Sequence, residues 1–158
     1  MIDETLFDQF VEQLSLVFIE LAQAIIRDGE GATKLVTIDI AGAKTNAIAR
    51  QIGLAIANSP LVKTAIAGED ANWGRIVMAI GKLGIGIPTD AISIDIGGFT
   101  VAREGMRIAD YDETPIAAHM TGQMIDLAVT VGAGNGTARV WTCDLTHGYI
   151  SINADYRS

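Results

Sequence analysis

From Thr5 to Arg27 apolar residues return every three or four positions (Leu6, Phe10, Leu14, Val17, Phe18, Leu21 and Ile25), with Glu12, Gln13, Glu20 and Gln23 between them. That period predicts a long amphipathic helix with one buried face. Asp3 is placed to cap its start, and Gly29 and Gly31 end the pattern. The β-branched run Leu35–Ile40, LVTIDI, predicts a strand that Gly42 breaks. Ile48, Ile52 and Ile56 fall four apart and predict a helix over Thr45–Ala57, stopping before Asn58-Ser59-Pro60. Leu61–Ala67 is apolar but too short to assign. Asn72–Leu83 reads as a helix with Ile76, Val77 and Ile80 turned inward. A Gly/Pro-rich loop, GIGIPTD, follows. Strands are then predicted over Ala91–Ile96, Phe99–Arg103, Met106–Ile108, Met124–Val131, Thr137–Asp144 and Tyr149–Asn153, with a short helix over Pro115–Thr121. Helices alternating with strands, then hairpins, predict an α/β fold with a mixed sheet.

The chain has 158 residues, the size of one domain able to bury a real core. Hydrophobic residues make up 49%. Exchanging the three tyrosines for the 17 glycines in that count raises it to roughly 58%, where ordinary domains run about 45–50%. No uninterrupted apolar run approaches the roughly 18 residues of a membrane span. So much apolar surface points to burial against a partner chain as well as within the domain. The formal net charge is −8, and no basic stripe interrupts it. Such a chain repels phosphate backbones and anionic membrane surfaces, so neither nucleic acid nor membrane is an expected partner. The amino-terminal MIDETLFDQF carries acids where a secretory signal places basic residues, which makes the cytoplasm the expected compartment. One cysteine, Cys143, excludes an internal disulfide and reads as a small packed hydrophobe, with no electropositive neighbour visible in the sequence.

Three clusters stand out from this apolar background. In Arg27-Asp28-Gly29-Glu30-Gly31-Ala32-Thr33-Lys34 two glycines flank Glu30 and let backbone approach closely. The turn either ends a helix among solvated charges or displays a carboxylate to a substrate ammonium group. In Gly68-Glu69-Asp70-Ala71-Asn72-Trp73-Gly74-Arg75 either Asp70 or Asn72 caps the next helix, or Asp70, Asn72 and Arg75 shape a polar pocket. The third is the tail Asn153-Ala154-Asp155-Tyr156-Arg157-Ser158, whose tyrosine suits docking rather than fraying. Gly132-Ala133-Gly134-Asn135-Gly136-Thr137 resembles a phosphate loop, but no helix or lysine follows, and a tight hairpin is expected there. His119, His147 and Cys143 have no metal-ligand spacing, so no metal site is expected.

At RDGEGATK, NSPLVKTAIAGEDANWGRIVMAIGK and VWTCDLTHGYISINADYRS the sequence closely resembles the ornithine acetyltransferases (glutamate N-acetyltransferases) of arginine biosynthesis. The resemblance runs from the first helix to Ser158. It implies an N-terminal-nucleophile-like fold, with residues 1–158 as one domain at the carboxy-terminal end of the enzyme's beta chain. It also implies self-cleavage of a precursor before a threonine. That new amino-terminal threonine is acylated by N-acetylornithine and passes the acetyl group to glutamate, the logic of covalent catalysis beside an oxyanion hole. By the same resemblance, Glu30, Asn153 and Ser158 contact substrate: Glu30 the amino group, Asn153 and Ser158 the far polar groups. No cofactor is implied, although acetyl-CoA serves some members as co-substrate. The implied partners are an alpha chain and the upstream part of the beta chain, with two copies of each chain.

In the family the nucleophile lies some tens of residues before the Glu30 position. Thr5 lacks the family's cleavage segment, and Thr33 and Thr45 match other positions. No catalytic nucleophile is therefore expected in these 158 residues, and the oxyanion-hole threonine and glycine also belong upstream. Two alternatives keep their place. One is a non-catalytic amino-acid-binding or assembly module, which would bind ligand without partners. The other is a related N-terminal-nucleophile amidohydrolase or aminopeptidase, which would pass the acyl group to water.

Overall fold

The computed structural model describes residues 4–109 and 112–155. Its centre is a mixed six-stranded sheet: β1 (Leu35–Ala43), β2 (Ser93–Ile96), β3 (Phe99–Arg103), β4 (Met106–Arg107), β5 (Met124–Thr130) and β6 (Gly136–Cys143), in the order β4-β3-β2-β5-β1-β6. β1 and β5 are parallel, and every other neighbouring pair is antiparallel. Strand alternation turns Val36, Ile38 and Ile40 to the same face as Ile94, Ile96, Ile125, Leu127 and Val129, and all are buried. That face meets α2 (Asn46–Ala57), α3 (Pro60–Ala67), α4 (Trp73–Gly81) and α5 (Glu113–Met120), which bring Ile52, Ile56, Ile66, Ile76, Ile80, Ile116 and Met120 into one core. The opposite face is polar. There Arg139 donates to both oxygens of Asp39, at 2.7 and 2.8 Å. That hydrogen bond, and then the charge of Asp39, raise the Arg139 pKa; the charge of Asp126 adds to the rise, and desolvation opposes it.

Helix starts follow the capping rules. Thr45, Ser59, Asn72 and Asp112 each accept a backbone N–H of the turn they open. The unassigned stretch Leu61–Ala67 is the body of α3, whose start Ser59 and Pro60 define. Four expectations need correction. The first helix, α1 (Glu4–Arg27), has the expected length but buries no residue, and its stripe is exposed, with Phe10 61% and Ile25 75% accessible. Among the described residues it also meets the length and hydropathy of a membrane-spanning segment, although Glu12 and Glu20 lie within it. Its expected cap, Asp3, lies outside the described residues.

Secondly, β1 does not break at Gly42. The strand continues to Ala43 through an irregularity, with Gly42 at φ +78°. Thirdly, the loop between β5 and β6 is no tight hairpin, because β1 lies between those strands. The loop crosses the end of β1, where the amides of Val131 and Gly134 donate to the carbonyls of Ala41 and Gly42. A Cβ on Gly42 would lie 2.2 Å from the carbonyl oxygen of Gly132, so this crossing requires glycine.

Lastly, Tyr149–Asn153 is no strand. It lies in α6 (His147–Asp155), which also buries no residue. The alternation Tyr-Ile-Ser-Ile-Asn imitates a strand, but the hydroxyl of Thr146 accepts the amide of Gly148 at 3.0 Å and starts a helical turn. Ser151 and Asn153 then donate to carbonyls four residues back.

Candidate functional site

The chain leaves α1 at Arg27 and turns sharply. The amide of Gly29 donates to the carbonyl of Ile26, that of Ala32 to the carbonyl of Gly29, and Gly31 sits at φ +68°. Glu30 projects from this turn and is exposed. Gly31 lies directly against the start of α6, where a Cβ would stand 2.4 Å from the amide nitrogen of Tyr149. That close approach brings two segments 123 residues apart into contact: Asn153 donates from Nδ2 to Oε2 of Glu30 at 2.7 Å, and to the carbonyl of Tyr149 at 2.9 Å. Among the described residues, Oε1 of Glu30 and Oδ1 of Asn153 have no hydrogen-bond partner. The pair therefore offers two acceptors, which suits a ligand rich in donors, such as an ammonium group. Ser158 lies outside the described residues.

Two side chains that sequence reasoning did not single out fix the turn to the end of β6. Asp144, 2% exposed, accepts the amide of Thr33 at 2.8 Å, the hydroxyl of Thr33 at 2.5 Å and the amide of Lys34 at 3.0 Å. Thr146 donates its hydroxyl to the carbonyl of Gly31 at 2.7 Å. The signal available in the sequence is the Asp-Leu-Thr that closes the predicted strand Thr137–Asp144 and leads toward the tail. Beside the turn, a cleft of about 380 Å³ is lined by Arg27, Thr33, Lys34 and Gln123 among others, but not by Glu30 or Asn153.

The cluster at residues 68–75 is mostly architecture. Asn72 caps α4 and holds Oδ2 of Asp70 at 3.0 Å. Arg75 donates to the carbonyl of Leu61 and the hydroxyl of Thr64, tying α4 to α3. Trp73 packs against the core. Glu69, at φ +58°, pairs at 3.4 Å with Lys34, whose ammonium also reaches the carbonyl of Met120. So Lys34 joins this corner to the Glu30 turn. Cys143 does have an electropositive neighbour: Nζ of Lys63 stands 3.6 Å from its sulfur, contributed from 80 residues away. His119 accepts the amide of Asp126 through Nε2, which occupies that nitrogen structurally.

These features define a mixed-sheet α/β domain carrying a paired carboxylate and amide on one rim. The model of the ArgJ family matches residues 2–158, and the chain belongs to that family. It is 56% identical over 151 residues to the arginine biosynthesis bifunctional protein ArgJ of Zymomonas mobilis, covering 96% of this chain and 37% of that protein. With the protein of the same name from Gluconobacter oxydans it shares 58% over 150 residues. A crystal structure of the Bacillus halodurans protein superposes with a TM-score of 0.89 at 39% identity, covering 94% of this chain and 70% of that one. The chain thus spans little more than a third of the length of the curated relatives it matches.

Proposed function

We propose that this chain is the substrate-binding, carboxy-terminal part of a cytoplasmic acyltransferase that moves an acetyl group from N2-acetylornithine to glutamate. The observation that carries this reading is the Glu30–Asn153 pair, assembled from the two segments that the resemblance marks as substrate-contacting. Glu30 holds the substrate ammonium, and Asn153 and Ser158 take the more distant polar groups. The nucleophilic threonine and its oxyanion hole come from the upstream beta segment and an alpha chain, in an assembly formed after self-cleavage. Acetyl transfer is then ping-pong: the threonine hydroxyl attacks the acetyl carbonyl, the ornithine amine leaves with a proton, and the glutamate amine attacks the ester so formed. The choice between N-acetylornithine and acetyl-CoA as donor rests with the segment that carries the threonine. Neither membrane nor nucleic acid is a partner, since Glu12 and Glu20 within α1 would be expensive in hydrocarbon and the net charge is −8.

Glu30→Gln tests this reading in the assembled enzyme. Loss of a charge-assisted hydrogen bond of about 1.5–3 kcal/mol lowers kcat/KM about tenfold to 150-fold. Melting temperature stays nearly constant, because the side chain is exposed. Unchanged kinetics with a lowered melting temperature would instead make Glu30 a helix-terminating residue. Ser158→Ala removes one neutral hydrogen bond to substrate, and about a twofold to tenfold fall in kcat/KM is expected. Equal values for Ser158→Ala and the parent would remove Ser158 from the site.

A further inference from the structure

Neither partner of the Glu30–Asn153 pair is held in place by its own burial. Glu30 stands on an exposed turn between two glycines, Asn153 on a helix with no buried residue, and α1, which leads into the turn, buries none either. A turn of this composition has many conformations open to it. Yet the pair meets at 2.7 Å. The restraint comes from the two side chains flanking Leu145. Asp144, at the end of β6, takes up the amides of Thr33 and Lys34 and the hydroxyl of Thr33, and so fixes the exit of the turn to the sheet. Thr146 fixes the residue after Glu30: its hydroxyl donates to the carbonyl of Gly31 and accepts the amide of Gly148. One hydroxyl thus couples the Glu30 turn to the first turn of the helix that carries Asn153.

We infer that Asp144 and Thr146 are positioning residues for Glu30, setting the separation between its carboxylate and Asn153 at which the substrate ammonium is received. This rests on the substrate-binding reading of Glu30 above. Asp144, as a buried carboxylate accepting three donors, is the stiffer tether, since each of its bonds is charge-assisted. Thr146 is the more local one. A small misplacement of such a group is costly when the ligand must meet two acceptors at once.

The test is a set of double-mutant cycles in the complete, assembled enzyme. Thr146→Val deletes the hydroxyl that joins turn and helix while keeping side-chain volume, and Thr33→Val deletes one of the three bonds to Asp144. Each is expected to lower kcat/KM about twofold to tenfold, chiefly by raising KM for the amino-acid substrate. Thr146→Ser, which keeps the hydroxyl, should restore the value to within about twofold. Each valine variant is then combined with Glu30→Gln. A residue that acts only by placing the Glu30 carboxylate has nothing left to place, so the double variants should be no slower than Glu30→Gln itself. A merely structural residue would give losses that multiply, and multiplying losses would overturn the inference while leaving Glu30 as a binding group. Valine variants as fast as the parent would overturn it too. If Glu30→Gln alone has no effect, the substrate-binding reading fails and the inference fails with it.

Discussion

Prepared by itself, this 158-residue chain is expected to show no acetyl transfer and to associate through α1. On α1, Leu6, Phe7, Phe10, Val11, Leu14, Leu16, Val17, Phe18, Ile19, Leu21 and Ile25 are all exposed. All but Leu16 and Ile19 fall on one broad stripe, and an exposed apolar face of this length belongs against further polypeptide rather than in water. On the polar sheet face, Oδ1 of Asp95 is buried without a hydrogen-bond partner among the described residues. A buried acceptor left unmade costs about 1–3 kcal/mol, so a donor from further polypeptide would stabilise it. The matched residues make up only 37% of such a relative, and in the proposed mechanism the threonine that accepts the acetyl group lies outside these 158 residues. The expected result is therefore zero turnover of N-acetylornithine with glutamate, together with concentration-dependent light scattering. Co-expression with the remaining family segments should restore transfer and abolish the scattering. Turnover by the pure chain, with no second polypeptide detected by mass spectrometry, would refute the division of labour proposed here.

What the sequence made legible and what it hid divide along a physical line. Elements whose pattern is local were readable. The isoleucine spacing marked α2, the β-branched runs marked β1 and β2, and Thr45, Ser59 and Asn72 sat where caps belong. What depended on distant chain was not readable. The loop after β5 looks like a hairpin until β1 is seen between its strands. The tail alternates like a strand, and only the Thr146 hydroxyl and the contact with Gly31 show why it coils. The exposure of α1 is hidden for a different reason: its period reports an apolar face without saying which polypeptide covers it. At the site, Glu30 stands out by its flanking glycines and Asn153 only as part of a polar tail; family resemblance makes both substrate contacts, and the structure brings them together. Asp144 and Thr146 went unnoticed because an aspartate and a threonine after a strand look like ordinary turn residues until their partners 111 and 115 positions away are known.

Gly31→Ala in the assembled enzyme should do more damage than the loss of the Glu30 carboxylate itself. Two separate effects act at this position. At φ +68° an alanine is strained by about 1–2 kcal/mol. Its Cβ would also stand 2.4 Å from the nitrogen of Tyr149 and 2.6 Å from the carbonyl carbon of Gly148, both backbone atoms that cannot rotate away. Either the turn or α6 must therefore move. Any such shift breaks the Thr146–Gly31 bond and separates Glu30 from Asn153. In the proposed site the substrate then loses its charge-assisted bond to Glu30 and its neutral bond to Asn153, together about 2–4.5 kcal/mol, or roughly 30-fold to 1,500-fold in kcat/KM. Gly84→Ala separates strain from collision. Gly84 has a similar φ of +63°, but its Cβ would meet nothing within 4 Å, so only about 1–2 kcal/mol of stability should be lost there, with kinetics unchanged. Strain and collision add at Gly31, so Gly31→Ala should lower the melting temperature more than Gly84→Ala does, while the core, which includes neither α1 nor α6, keeps the domain folded. A Gly31→Ala enzyme within twofold of the parent in kcat/KM would mean that turn and helix can part without consequence. The Glu30–Asn153 contact would then have no part in binding substrate.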